Sequence, residues 1–266
     1  MITDSIRVIT YAIAAAVLLV VLFKSIVDVK RKRRPITMSF FAFGVIGILV
    51  NDVYWWIHSL MYPDIRFPFS PDEIGACAVY MLMSAALLTI FDKPIKALPH
   101  TAFTAAFSAA NIALWIGWSG EWIKDIISGV VFAYLLCTCV RSLKESDVFS
   151  KKQWAAAAAA ALALVCIQTL IFFISSEIQK LLDIFCYILM LAACLYLYVR
   201  ALLSLKKSSL EERTALSFSA FSCCLVSMYM SAEPIYFMFS LGYTLCTVIM
   251  FLAIHGTEKE RCDDLR

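Results

Sequence analysis

Long apolar runs separated by short polar connections dominate the chain. A helix of about 20 apolar residues crosses the hydrocarbon core of a bilayer, and nine runs have about that length. They are continuously apolar rather than alternating, which excludes the strands of a membrane barrel. The pattern predicts one all-α polytopic membrane bundle over 1–266, with helices near 8–28, 37–59, 72–91, 100–118, 122–140, 154–174, 178–199, 214–232 and 235–255.

Composition agrees with a membrane protein. Hydrophobic residues make up 62% of the chain and charged residues only 16%, and the mean hydropathy is +0.83. Soluble domains carry about 25% charged residues. The net charge of +3 is spread over short connections, so it does not indicate a nucleic-acid partner. The lipid bilayer is the expected surrounding.

The connections alternate in basic content, and this alternation predicts the orientation. Nine crossings place 19 of the 23 Lys and Arg residues on one side; eight crossings would move later loops to the wrong side. Because basic loops stay in the cytoplasm, we predict an outside N-terminus, a cytoplasmic C-terminus, and one helix followed by four hairpins. The basic connections are 30–35, 92–96, 141–152, 200–213 and 255–266. The short loops and the segregation of Lys and Arg to one side favour a location in a cell membrane, specifically the bacterial inner membrane.

Two features of the helix ends support the same orientation. The charge of the first helix follows its apolar run, which favours an uncleaved helix that begins outside. Five of the six Trp residues fall at predicted outer ends, where the ring prefers the headgroup level. These residues are Trp55, Trp56, Trp115, Trp118 and Trp122.

Several acids fall where an outer turn leads into the next helix, and we interpret them as structural. The stretch SPDE at 70–73 has the spacing of a capping box, and SEIQ at 176–179 is its Gln version. Glu121 and Glu233 also stand at predicted helix starts, where a negative charge is favourable.

Asp125 and Asp183 are harder to explain as caps, because each is expected about two turns into a helix. Each follows a lysine, and Lys180 can pair with Asp183 three residues later. Two interpretations remain open for both acids: a side chain that reaches for the outer interface, or part of a polar site.

The stretch NDVYWWIHS at 51–59 places an amide, a carboxylate and an imidazole in an apolar segment. Asp52 approaches a helix C-terminus, which disfavours negative charge, about 7 Å below the expected boundary. It should therefore face the bundle, find a cation or a donor, or be protonated. The candidate partners are His58, Arg66 and tyrosine side chains.

Helical spacing arranges the rest of this stretch. Asn51, Trp55, His58 and Tyr62 fall on one stripe, with Tyr54 beside it. Two interpretations stay open: a buried network that fixes the second helix, or a ligand site near the outer face. The candidate ligand-binding residues are Asn51, Asp52, Trp55, His58, Arg66, Asp125 and Asp183.

Motifs of metal or nucleotide chemistry are missing from the sequence. It contains no HExxH, GxSxG or phosphate loop. Its three His residues fall on opposite predicted sides, so a His-rich metal centre is not expected. No cofactor and no catalytic residue is assigned from the sequence. The ten Cys residues are interpreted as reduced, core-packing residues.

Three hypotheses for the function follow. The first is a small-molecule carrier or binding protein whose outer acids favour a small cationic or amphiphilic ligand. The second is a sensory or accessory subunit that signals through its basic loops to a cytoplasmic protein. The third, less favoured, is a lipid-acting enzyme with Asp52 and His58 as an acid–base pair.

Overall fold

The computed structural model describes residues 2–61, 71–91, 98–174, 177–231 and 235–256, and their only regular secondary structure is helical. The described residues form nine helices. These are α1 (Ile2–Lys30), α2 (Pro35–Met61), α3 (Pro71–Leu88), α4 (Leu98–Ser119), α5 (Trp122–Glu145), α6 (Lys151–Ile171), α7 (Glu177–Lys207), α8 (Leu210–Tyr229) and α9 (Ile235–His255).

Each predicted segment corresponds to one helix, but two basic connections are shorter than predicted. α5 continues to Glu145 and α7 to Lys207, because Arg, Lys and Leu are good helix formers. Only 146–150 and 208–209 remain outside helices there. Serine caps begin the following helices: Ser150 accepts from the Gln153 N–H, and Ser209 accepts from the Glu212 N–H.

Six of the helices are long and apolar enough to cross a membrane. Length and apolarity alone therefore support six crossings rather than the nine predicted. The six segments are Val8–Lys30, Pro35–His58, Trp122–Glu145, Lys151–Ile171, Glu177–Lys207 and Ile235–His255. The apolar part of α3, Glu73–Leu88, is shorter.

The polar character of α8 has a structural reason. This helix packs against α5, α7 and α9, and most of its side chains are buried. Its serine hydroxyls bond to its own backbone; for example, Ser219 Oγ donates to the Ala215 carbonyl at 2.7 Å. α8 is therefore an interior helix whose polar groups are satisfied away from lipid.

The other helices surround α8 and α9. α9 packs against α1 and α8, α2 lies between α1 and α3, and α5 joins α3, α4 and α8. The α6–α7 hairpin lies at the edge, where α6 contacts only α4 and α7. The large apolar side chains of the fully buried core include Leu18, Phe41, Met83, Leu135, Phe218 and Met250.

Small residues bring α2 and α3 close together. A Cβ added at Gly47 would lie 2.6 Å from the Val79 side chain, and one at Gly75 would collide with the Asn51 amide. Gly47 and Asn51 are one turn apart on the face of α2 that meets α3. Asn51 therefore fills the groove that the missing side chain of Gly75 leaves.

The antiparallel packing gives the bundle two ends. We call one the Asp52 end: there α2 and α8 finish, and α1, α3 and α9 begin. We call the other the Asp28 end: there α1 and α9 finish, and α2 and α8 begin. Buried polar clusters lie at both ends.

Candidate functional site

Asp52 is the buried carboxylate of the Asp52 end. Its residue is only 8% exposed. The Tyr243 hydroxyl on α9 donates a hydrogen bond of 2.6 Å to Asp52 Oδ1. Asp52 Oδ2 is buried and has no hydrogen-bond partner among the described residues. The carboxylate thus has one satisfied oxygen and one that is free to accept.

Four further tyrosines lie around this pair. Tyr236 interacts electrostatically with Asp52 and hydrogen-bonds to Tyr11 of α1. The Tyr80 and Tyr229 hydroxyls, from α3 and α8, lie 2.6 Å apart, and Tyr229 also interacts with Tyr236. We call these residues the tyrosine cluster: Tyr11, Tyr80, Tyr229, Tyr236 and Tyr243.

Helix periodicity explains how α9 supplies two members of the cluster. Tyr236 and Tyr243 are seven residues apart, so two turns of α9 place them on one face. Phe237 packs edge-on against both Tyr11 and Tyr236, with ring centroids 6.5 and 5.6 Å away. Phe221 of α8 packs in the same way on Tyr243 at 6.1 Å. Aromatic rings therefore enclose the hydroxyl groups.

Asn51, Trp55 and His58 share a face of α2, as predicted. That face differs from the one on which Asp52 meets Tyr243. Asn51 packs against Gly75 of α3. Trp55 and His58 lie one turn apart with ring centroids 5.4 Å apart, and Tyr54 contacts both rings. Of the three kinds of candidate partner for Asp52, the observed one is a tyrosine; no hydrogen bond joins Asp52 to His58, so the predicted acid–base pair is not formed.

Some candidates cannot be placed. Arg66 and Tyr62 lie outside the described residues, as do Ser70, Ser176 and Glu233. The predicted capping boxes at 70–73 and 176–179 therefore lie partly outside them too.

Asp125 serves the start of α5, and the prediction that it lies too deep for that role is wrong. α5 begins at Trp122, so Asp125 falls in its first turn. The Ser119 hydroxyl donates to Asp125 Oδ2, and Ser119 Oγ accepts from the Glu121 N–H at 3.0 Å. Asp125 and Ser119 together fix the tight connection between α4 and α5.

Lys124 joins two acids rather than pairing with Asp125. Its Nζ lies 2.9 Å from Glu73 Oε1 on α3 and 2.6 Å from Glu121 Oε2. The Lys124 and Glu73 side chains are only 14% and 12% exposed. This ion pair ties α3 to α5, so Glu73 has a role beyond the start of its own helix.

Asp183 has no such role. Lys180 pairs with Glu177 at 3.1 Å, so the predicted Lys180–Asp183 pair is wrong. Asp183 is partly buried on α7 and forms no hydrogen bond or ion pair with the described residues.

The structure does not bring the three acids of the predicted site together. α2 contacts α1, α3 and α9, but in the described part of the chain it contacts neither α5 nor α7. Asp52 is therefore separated from Asp125 on α5 and from Asp183 on α7. The polar site at this end consists of Asp52 and the tyrosine cluster.

The Asp28 end holds a cluster that sequence reasoning missed. Asp28, only 2% exposed, accepts a hydrogen bond from His255 Nδ1 at 2.5 Å. Arg33 lies 3.8 Å from the same carboxylate, and its Nη1 lies 3.4 Å from His255 Nε2. The signal was present: an acid in an apolar helix, just before five basic residues, needs a cation.

Two more arginines bind the last turn of α9. Arg34 Nη1 donates to the Ile254 carbonyl at 2.8 Å, and Arg213 Nε donates to the Ala253 carbonyl at 2.7 Å. Carbonyls at a helix end need such donors. Arg213 was predicted in a loop but is 1% exposed inside α8, because that helix begins earlier than predicted.

The cysteines form contacts but no metal site in the described residues. All nine described cysteines carry free thiols. Cys194 lies 3.5 Å from Cys223, and Cys224 lies 3.9 Å from Cys246. No group of three or more metal-ligating side chains suited to a metal ion was found in the part of the chain that the structure describes.

A small, mostly apolar cavity lies between α4, α5 and α8, away from Asp52. Its volume is about 10 Å³, which is room for about one water molecule. Ser108 Oγ and Asn111 Oδ1 lie beside it, and neither has a hydrogen-bond partner among the described residues.

Comparisons of the chain with protein-family models, with curated proteins and with solved structures found no match.

Proposed function

We propose that this chain is a multi-pass membrane protein that binds a small cationic ligand at Asp52, as a carrier or a binding protein. The observation that supports this proposal is the buried oxygen Asp52 Oδ2, which has no hydrogen-bond partner among the described residues. A buried polar atom without a partner is costly, and a buried charge costs more. A bound cation would remove both costs.

The surroundings of Asp52 favour a cation over other ligands. Within the described residues the neighbours of this carboxylate are phenol hydroxyls and aromatic rings, which bring no positive charge of their own. Aromatic faces attract cations. An anionic ligand would be repelled by the carboxylate, and none of its described neighbours is a base that would compensate.

We also propose nine crossings, with an outside N-terminus and a cytoplasmic C-terminus. The segregation of the basic connections supports this orientation. The burial of α8 supports its assignment as a crossing, since its polar side chains need not face lipid. In this arrangement Asp52 lies near the outer face and the Asp28 cluster near the cytoplasm, in a cell membrane of bacterial inner-membrane type.

Helices α1 and α9 each contribute residues to the clusters at both ends of the bundle, and this arrangement suits a carrier. α1 carries Tyr11 and Asp28, about 25 Å apart along the helix, and α9 carries Tyr243 and His255, about 18 Å apart. A carrier must open one end while it closes the other. A shift of α1 against α9 would change both clusters together.

A sensory or accessory subunit is the second candidate, and the same linkage supports it. Binding at the Asp52 end would be passed along α1 to the exposed basic residues at and just after its end, Lys30, Arg31 and Lys32. A cytoplasmic protein would read the change there. We give this hypothesis second place because the buried oxygen Asp52 Oδ2, without a partner among the described residues, supports ligand binding directly.

Thermal unfolding of the purified full-length protein tests cation binding. Sodium, potassium, benzylammonium and benzyltrimethylammonium chloride serve as probes, because a ligand that binds the folded state raises the midpoint. Asp52→Asn removes the charge. Asp183→Asn is the matched control, since it makes the same change on a helix that does not contact α2.

We expect at least one cation to stabilise the natural protein and the Asp183→Asn variant but not Asp52→Asn. Uptake of that cation into proteoliposomes then separates a carrier from a binding protein. Equal stabilisation of Asp52→Asn, or no stabilisation by any of the four cations, would overturn the proposal.

A further inference from the structure

We propose that the ligand at Asp52 carries a primary ammonium group on an apolar body, which distinguishes it from a metal cation and from a quaternary ammonium ion. This inference rests on the proposed cation binding at Asp52. It follows from which atoms around the carboxylate can still accept a hydrogen bond.

The hydrogen bond from Tyr243 leaves two acceptors side by side. Because the phenol proton is committed to Asp52 Oδ1, the Tyr243 oxygen offers only its lone pairs to a third group. Asp52 Oδ2 is an acceptor without a partner among the described residues. The complementary ligand group is a positively charged donor of several hydrogen bonds, and a primary ammonium has three.

A metal cation fits these atoms poorly. Ca²⁺ takes six to eight oxygen ligands and Mg²⁺ demands near-ideal octahedral coordination. Here the Asp52 carboxylate lies among phenols, and the described residues contain no group of three metal-ligating side chains. A quaternary ammonium ion has no N–H, so it would leave Asp52 Oδ2 without a hydrogen bond.

The rings around the carboxylate account for the apolar body. Phe237 packs edge-to-face with both Tyr11 and Tyr236, and Tyr243 packs on Phe221. Such rings stabilise an ammonium group through their faces, and they bury an apolar substituent. A bare inorganic cation would gain nothing from that second interaction.

Tyr236 provides the entry to the site. It stands in the first turn of α9 and is only half-buried, whereas Tyr243, two turns deeper, is buried. Tyr236 interacts with Asp52 electrostatically and bonds to Tyr11. An amine arriving from this end meets the Tyr236 hydroxyl before it reaches the carboxylate.

Binding of benzylammonium and benzyltrimethylammonium to the full-length protein tests the inference. The two probes share the ring and the charge and differ in N–H donors. We expect the primary amine to bind at least about tenfold tighter, which is the effect of one charge-assisted hydrogen bond. Tyr243→Phe and Tyr236→Phe keep the rings but lose hydroxyl acceptors, so each should reduce this preference; Tyr198→Phe, on α7, should not.

The outcomes separate the two proposals. If sodium, potassium or benzyltrimethylammonium binds as tightly as benzylammonium and depends on Asp52, the ammonium inference fails and the cation site stands. If none of the four cations binds in a manner that depends on Asp52, both fail. An unchanged preference in Tyr243→Phe and Tyr236→Phe would also overturn the ammonium inference.

Discussion

Tyr243 of α9 donates a 2.6 Å hydrogen bond to Asp52 of α2 across the interior of the bundle. The two residues are 191 positions apart in the sequence, and this bond joins the second helix to the last. It satisfies one carboxylate oxygen and leaves Oδ2 without a partner among the described residues. Under the proposed function, both the stability of the Asp52 end and its binding of a ligand depend on this pair.

Tyr243→Phe should destabilise the protein by about 1–3 kcal/mol, because it leaves a buried carboxylate without its donor. Asp52→Asn should cost less, since the amide oxygen can still accept from Tyr243. Replacing both, as Tyr243→Phe with Asp52→Leu, should recover much of the loss. Denaturant unfolding in detergent measures the three variants, and a larger loss in the double variant than in Tyr243→Phe would contradict this account of the pair.

Two lysines with the same local spacing should behave differently. Lys124 and Lys180 each pair with an acid three residues before, but Lys124 also reaches Glu73 and is 14% exposed, while Lys180 is 71% exposed. Lys124→Gln should cost about 2 kcal/mol, as charged hydrogen bonds do, and Lys180→Gln less than about 1 kcal/mol. Equal unfolding free energies for the two variants would show that the α3–α5 ion pair contributes little.

The Asp28–His255 pair should couple the ends of α1 and α9. Asp28→Ala leaves His255 and Arg33 without their buried acceptor and should cost about 3 kcal/mol. A double-mutant cycle with His255→Ala should give a coupling of at least about 0.5 kcal/mol. Additive losses would mean that the two side chains stabilise their helices independently.

Gly75, at the α2–α3 contact, and Gly117, on α4, should respond in opposite ways to substitution by alanine. Gly75→Ala forces a methyl group against the Asn51 amide and should cost about 1–3 kcal/mol. Gly117→Ala meets only Phe172, at 3.9 Å, and should be neutral or stabilise by up to about 1 kcal/mol, since Ala is the better helix former. Adding Asn51→Ala should relieve Gly75→Ala; failure of that rescue would place the strain elsewhere.

Local sequence patterns predict where the helices lie better than they predict which helices contact each other. Apolar runs located all nine segments, and the spacing of Asn51, Trp55 and His58 predicted their shared face. The apolar pattern ends α5 and α7 too early, because their last turns contain basic residues, which favour helix. Apolarity alone does not decide how many helices cross the membrane. The polar side chains of α8 are buried against other helices, and the sequence does not show that packing.

The candidate site was predicted only in part, because its partners come from distant helices. Asp52 was singled out by its depth, and a tyrosine was among its candidate partners, but nothing local identifies Tyr243. Asp125 and Asp183 were grouped with Asp52 by predicted depth, whereas α2 contacts neither of their helices. The five basic residues after Asp28 predict the orientation of α1. They do not identify the partner of the Asp28 carboxylate, because His255 lies 227 positions away.

Infrared difference spectroscopy of the reconstituted full-length protein tests the central claim most directly, since it observes the carboxyl group itself. Spectra would be recorded with and without benzylammonium, and then with and without sodium. Our account predicts a cation-induced change in the carboxyl bands of the natural protein and of Asp183→Asn, and its disappearance in Asp52→Asn. The same carboxyl change in Asp52→Asn, or cation binding without any carboxyl change, would contradict Asp52 as the binding group.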